Sequence, residues 1–384
     1  MTPKLHGKRG APEEEIIRRI KERGRVTLAE FMEIALYWVD GGYYTSKTGD
    51  GAGPWGGGGD YITNTDISPF FAKLLSKQIH EIWQACGEPS SFDVIEAGAG
   101  RGLLSKGMLD AFKESWPEFY NAVTIRLIEK NQFLRLETSE KVSWYASIDE
   151  VKTSGAVCVL SNELIDSFPA HRVVWRNGVL KEVFTAFDGN DFINVEDSPS
   201  TDGLSRYLDN AGIGPFEGMV MEINLNAVKW ISDVARRFEK GFVVTVDYGL
   251  PARELYSPER MDGSLMCHYR HTLNSNPYLN IGAQDITTHV DFTSLANAGK
   301  KAGLELTGFT TQKNFLLGLG VLNELQEVTS FGFDAYDKIK SNQRLAELIT
   351  PGGAGDTFKV MIQHKGLDNP ALKGFSFKEM SRYL

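Results

Sequence analysis

Phe92, Val94 and Ile95 make a short apolar run that suits a buried strand, closed by Glu96, while Leu103, Leu104, Met108, Leu109 and Phe112 recur at helical spacing. Gly98, Gly100 and Gly102 fill the interval, so this stretch predicts a strand, a glycine turn and a helix. Similar runs predict further buried strands at 123–129, 156–160, 242–246, 304–309 and 357–364, the last pairing antiparallel at the sheet edge. Helical spacing covers 70–86, 225–238, 292–301, 314–328 and 333–349. Near the start, Ile16, Ile17 and Ile20 share one helical face. Gly24 breaks that helix, and Thr27 with Glu30 makes a capping box for Leu28 to Tyr37. Residues 171–196 alternate like hairpin strands around the turns Asn177-Gly178 and Asp188-Gly189-Asn190. Strands interspersed with helices predict an α/β, mostly parallel sheet with an antiparallel insertion.

A turn of this kind lets the backbone approach a ligand closely, because glycine has no Cβ, and the following helix offers unpaired N–H groups. It implies a nucleotide-like cofactor. The dinucleotide fingerprint needs a third glycine at position 103, which is leucine, and the spacing is instead E-x-G-x-G-x-G. That spacing resembles the first motif of class I S-adenosylmethionine (SAM) methyltransferases; taken alone, it leaves a NAD-type fold or a purely structural turn open. Glu129, at the end of the next strand, is placed to accept hydrogen bonds from a ribose, the alternative being a surface glutamate. Asn162, Glu163 and Asp166 follow a third strand and would lie beyond its carboxyl end, where two carboxylates call for something cationic. Asn162 or Asp166 could equally cap a helix or turn. Asp247 tops another strand.

The segment 40–68 mixes glycines with Tyr43, Tyr44, Trp55 and Tyr61; it reads either as a linker or as a folded loop over a ligand. Residues 250–291 read as a long irregular polar segment. Cys267, His268, His271 and His289 lie there without paired metal-ligand spacing, so no metal is expected.

Length changes the picture by allowing two or three domains in 384 residues, and 42% hydrophobic with 24% charged residues is ordinary for a soluble chain. A net charge of −9 argues against nucleic acid as a partner. Three scattered cysteines, no apolar run of about 18 residues and no secretory pattern make a cytoplasmic protein the expectation. Oligomeric state is not readable.

Several stretches together resemble the MidA-type SAM methyltransferases, relatives of the mitochondrial complex I assembly-factor arginine methyltransferase. They are A-L-Y-W-V-D-G-G-Y-Y at 35–44, G-D-Y-I-T at 59–63, E-A-G-A-G-R-G-L-L at 96–104, N-E-L-I-D-S-F-P at 162–169, V-D-Y-G at 246–249, H-Y-R-H at 268–271 and G-A-Q-D-I-T-T-H-V-D-F at 282–292. Order and spacing agree over about residues 28–365. The resemblance implies a Rossmann-like class I fold, a mostly parallel seven-stranded sheet with an antiparallel edge strand. It further implies an N-terminal helical part with the glycine loop (1–87), a first core half (88–170), a β insertion (171–224), the remaining core (225–365, with insertions at 250–291 and 314–349) and a tail (366–384).

SAM is then the cofactor, with Asp60, Glu96, Gly98, Gly100, Gly102, Glu129 and Asn162 around it. By the same resemblance the acceptor would be a protein side chain, an arginine guanidinium as in the mitochondrial relative, whose substrate is a respiratory complex I subunit. Glu163 and Asp166 would bind it, and Asp247 and His271 are second-rank candidates for proton removal. Trp38-Val39-Asp40, Ile165 and Ser167 depart from the family pattern near the substrate side. A small-molecule acceptor, or an assembly factor that holds SAM without turnover, are the alternatives.

Overall fold

Phe92–Ala97 is buried along its whole length and forms β1, an inner strand of the main sheet in the computed structural model, which describes residues 10–45, 69–135, 138–153, 155–325, 333–350 and 352–384. Unbroken burial is what a parallel strand covered on both faces requires, and it is why the run lacks alternation. The other strands are β2 (Val123–Ile128), β3 (Val142–Tyr145), β4 (Ala156–Asn162), β5 (Gly241–Leu250), β6 (Glu305–Thr311) and β7 (Phe358–Lys365). They lie in the order β6-β7-β5-β4-β1-β2-β3, with Val290–Asp291 beside the end of β5. All neighbours are parallel except β7, which is antiparallel to β5 and β6. The strand expected at the edge is thus antiparallel with β6 outside it, in keeping with its nearly complete burial.

The chain runs from β1 out to β2 and β3, then returns to β4 on the other flank of β1. This makes the carboxyl ends of β1 and β4, where Ala97 stands opposite Ser161, the switch point at which such sheets take ligands. Phe71, Leu74, Leu75, Ile79 and Ile82 of helix Pro69–Ala85, and Leu104, Met108 and Phe112 of helix Leu103–Ser115, join one core with Phe92, Val94, Cys158, Leu160 and Val244. The helical spacing of those apolar residues is the imprint of this contact.

Among the described residues, those within 62–165, 228–251 and 290–384 form one compact unit, which holds this sheet, and those within 1–61, 166–227 and 252–289 form another. In the second unit, helices Ala11–Arg23 and Leu28–Tyr37 are separated by Gly24, whose φ of +84° suits glycine. Thr27 Oγ1 accepts from Glu30 N at 3.0 Å and Glu30 accepts from Thr27 N at 3.0 Å, the expected capping box. His171–Arg176, Val179–Phe187 and Phe192–Asp197 form the expected antiparallel meander, joined by Val220–Ile223 and Val26–Thr27.

Two expectations need correction. Residues 250–291 are not irregular throughout: Met266–Tyr269, Thr272–Asn274 and Asp285–Thr287 make a small antiparallel sheet, whose strands of four and three residues are too short to show a period. The helix expected over 314–328 is instead Gln312–Gly318, followed after the left-handed Gly320 (φ +78°) by the 3₁₀ turn Val321–Glu324; residues 326–328 lie outside the described residues. Among the described residues no helix is long and apolar enough to cross a membrane.

Candidate active site

The turn after β1 is fastened to β2. Gly98 N and Ala99 N both donate to Ile128 O at 3.0 Å, and Gly98, Gly100 and Gly102 have φ of +70°, +52° and +70°. Crowding adds to conformation in keeping side chains out. A Cβ on Gly98 would stand 2.8 Å from Leu164 Cδ1, and one on Gly102 would stand 2.9 Å from Leu127 Cδ1 and 3.1 Å from the Trp144 ring. Helix Leu103–Ser115 begins at once and has no side-chain cap.

Two carboxylates brace this turn from below. Glu96, almost fully buried in β1, accepts a hydrogen bond from Ser105 Oγ in the first turn of the helix. Burial pushes its carboxyl up to about 7, against the hydrogen bonds from Ser105, and the nearby Glu129 pushes the same way. Glu129, the residue after β2, accepts from Gly100 N through Oε2 at 3.0 Å and from Asn131 N through Oε1 at 2.7 Å. Burial raises its carboxyl as well, opposed by those two amide bonds. Each oxygen retains a further lone pair, so hydroxyls can still bind it.

Across the switch point, Asn162 ends β4 and its Nδ2 donates to Glu163 Oε1 at 3.1 Å. Glu163 is half-buried, and its φ of +52° is unusual for a residue with a side chain. Its N–H donates to Val246 O at 3.0 Å, which continues the β4–β5 ladder by one residue. Asp247, fully buried in β5, accepts through Oδ2 from Ile165 N at 2.8 Å and Leu164 N at 3.2 Å, and through Oδ1 from Tyr248 N at 2.9 Å. Its carboxylate therefore clamps the loop that carries Glu163.

The structure brings Glu96, Gly98, Gly100, Gly102, Glu129, Asn162, Glu163 and Asp247 into one unit, at the carboxyl ends of adjacent strands. Asp166 and His271 belong to the other unit. Asp166 is buried there, with its backbone oxygen bonded by Thr288 N at 2.9 Å, and His271 is an exposed residue with φ +59° at the turn between Tyr269 and Thr272. Asp60, Trp55 and Tyr61 lie outside the described residues. Of the aromatics read as a ligand loop, Tyr43 is buried with Ile34 and Leu36, and Tyr44 donates to Asp285 Oδ1 at 2.7 Å and stacks on Tyr37. Cys267 is buried, which pushes its thiol up to about 12, and no group of three or more metal-binding side chains occurs among the described residues. Ser105 and Trp144 have no signal in the sequence: a serine within a helix and a tryptophan on a short edge strand carry no distinguishing spacing.

A turn with no room for a Cβ at Gly98 and Gly102, next to a half-buried carboxylate with acceptor capacity to spare, fits a nucleoside whose ribose hydroxyls face Glu129. The comparisons agree. A family model described as "Putative S-adenosyl-L-methionine-dependent methyltransferase" matches residues 74–310, well over half of the chain. The crystal structure of a superfamily member from Burkholderia thailandensis, bound to S-adenosyl-homocysteine, is 28% identical with a TM-score of 0.84, covering 97% of this chain and 96% of that one. The mitochondrial protein arginine methyltransferase NDUFAF7 of Homo sapiens is 25% identical over 91% of this chain and 82% of its own length. Its homologue from Drosophila melanogaster is 23% identical over 98% and 91%. With the fold, the glycine turn and the match to the family model all in agreement, the chain belongs to this family of S-adenosyl-L-methionine-dependent methyltransferases, and S-adenosyl-L-methionine is its cofactor.

Proposed function

We propose that the protein methylates a protein side chain, the acceptor being an arginine guanidinium. The relatives named as protein arginine methyltransferases support this over most of the chain. The observation that carries it is Glu163: a carboxylate held by a neighbouring amide, on a backbone in a strained region, at the strand end next to the cofactor turn. Strain of this kind persists where surrounding structure enforces it, and here Asp247 and the β5 ladder do so.

The cofactor, when bound, supplies a methyl group already activated on a sulfonium, so alignment is the main task left to the protein. The glycine turn and Glu129 hold the nucleoside. Glu163 balances the guanidinium charge through a charge-assisted hydrogen bond and turns one nitrogen toward the incoming methyl.

Glu163→Gln tests the assignment. Transfer of radiolabelled methyl to protein should fall by about a hundredfold or more, while calorimetry shows S-adenosylhomocysteine affinity nearly unchanged. Equal loss of both would move Glu163 into the cofactor site. Label recovered in small molecules of a cell extract rather than in protein arginine would overturn the acceptor.

A further inference from the structure

Asn162 carries an unused group. Its Nδ2 donates to Glu163 Oε1 at 3.1 Å, and because a carboxylate only accepts, that bond settles which way the amide faces. Its Oδ1 is buried from solvent and accepts no hydrogen bond. A buried carbonyl in that condition has lost water without gaining a donor, and a ligand N–H would restore the balance.

Its position says which ligand. Glu96 pairs with Leu160 in the parallel ladder, and two residues further along β4 Asn162 shares the face of Leu160 and of Glu96. The cofactor turn and Glu129 occupy the β1–β2 side of the switch point, and Asn162 stands on the β4–β5 side, opposite Val246. On the arginine reading, the acceptor meets the cofactor from that side.

We infer that Asn162 is a specificity-determining residue for the methyl acceptor, its Oδ1 accepting an N–H of the acceptor while its Nδ2 holds Glu163. The inference rests on the arginine reading and deepens it. Asn162 Oδ1 and the Glu163 carboxylate are both hydrogen-bond acceptors, so together they select a group with N–H donors at two sites. A planar guanidinium meets that requirement; an ether or thioether offers no donor and a hydroxyl offers one.

The test uses the full chain and two adenosine derivatives with a three-carbon chain at the 5′ position, one ending in a guanidine and the other in a methyl ether. Calorimetry on the wild type should show the guanidine bound about tenfold more tightly than the ether, the worth of charge-assisted hydrogen bonds. In Asn162→Leu that preference should collapse to within about twofold, while S-adenosylhomocysteine affinity stays within about twofold of wild type. A variant that keeps the preference overturns the inference and leaves the arginine reading standing. Loss of S-adenosylhomocysteine affinity with an intact melting transition also overturns it, because Asn162 would then serve the cofactor. If Asn162→Leu melts early, the smaller Asn162→Ala is read by the same criteria. A wild type that shows no preference removes the arginine reading, and the inference with it.

Discussion

Glu129 and Glu163 each follow the last residue of a parallel strand, β2 and β4, yet they are held by different means. Glu129 is gripped by backbone, with Gly100 N on one oxygen and Asn131 N on the other. Glu163 is reached by a side chain, Asn162 Nδ2, and its own backbone is bent into the left-handed region. A carboxylate tied to amides keeps its place whatever the nearby side chains are, which suits the unvarying part of a reaction, the cofactor. One steered by a neighbouring side chain can be retuned by a single substitution, which suits the part that differs between enzymes, the acceptor.

The strongest way to break this division is to strike where its two halves touch. Gly98→Val forces a branched residue to φ +70° and drives its Cβ toward Leu164, the neighbour of Glu163. Left-handed strain of roughly 1–2 kcal/mol with overpacking of roughly 1–3 kcal/mol is enough to shift the turn, and a shifted turn should lower S-adenosylhomocysteine affinity by about a hundredfold in calorimetry. Unchanged affinity would mean that the turn does not carry the cofactor.

Asp247→Ala sharpens the acceptor side alone. Three amides, those of Leu164, Ile165 and Tyr248, lose their acceptor, and a buried unsatisfied donor costs about 1–3 kcal/mol. Urea unfolding should show the midpoint lowered with the slope unchanged, and methyl transfer should fall more than cofactor affinity. Normal stability would contradict the clamp.

Glu96→Gln is the mildest probe and reports on the cofactor side. Its carboxyl sits at about 7 in the folded protein against an ordinary 4.5, so between those values the folded state binds more protons than the unfolded chain. The contribution of this group is complete below about pH 4.5 and fades as the pH rises through about 7. At roughly 1.4 kcal/mol per unit, it adds about 1–3 kcal/mol at pH 5 relative to pH 7.5. The variant should lose that increment, which paired urea titrations at the two pH values measure; an identical pH slope in both proteins would reject it.

Much of this was open to reading in the residues themselves. Phe92–Ala97, the glycine turn, helix Leu103–Ser115 and the Thr27 capping box follow from local spacing, and local spacing is what they obey. Glu129 could be picked out because a strand end is a recognisable place. The bonds of Asp247 could not be read in the same way: the amides of Leu164 and Ile165 that engage it lie 83 and 82 residues away, so nothing near it in the sequence shows that this strand-end carboxylate fastens a loop. The bond between Ser105 and Glu96 spans only nine residues, but a serine in the first turn of a helix carries no spacing that marks it as the partner of a buried strand carboxylate. The small sheet over 266–287 stayed invisible because its strands are three or four residues long and partly exposed, too short for any period to emerge.

The antiparallel placement of β7 bears on how the molecule is made. Its partners are β5 and β6, and among the described residues β6 has no other sheet neighbour. A nascent chain emerging from the ribosome has therefore built β6 with nothing to pair with, and holds β5 as a raw edge, until residues 358–365 are translated. A chain broken off before residue 358 would lack an inner strand of the sheet, and such truncated products are expected to aggregate along that edge.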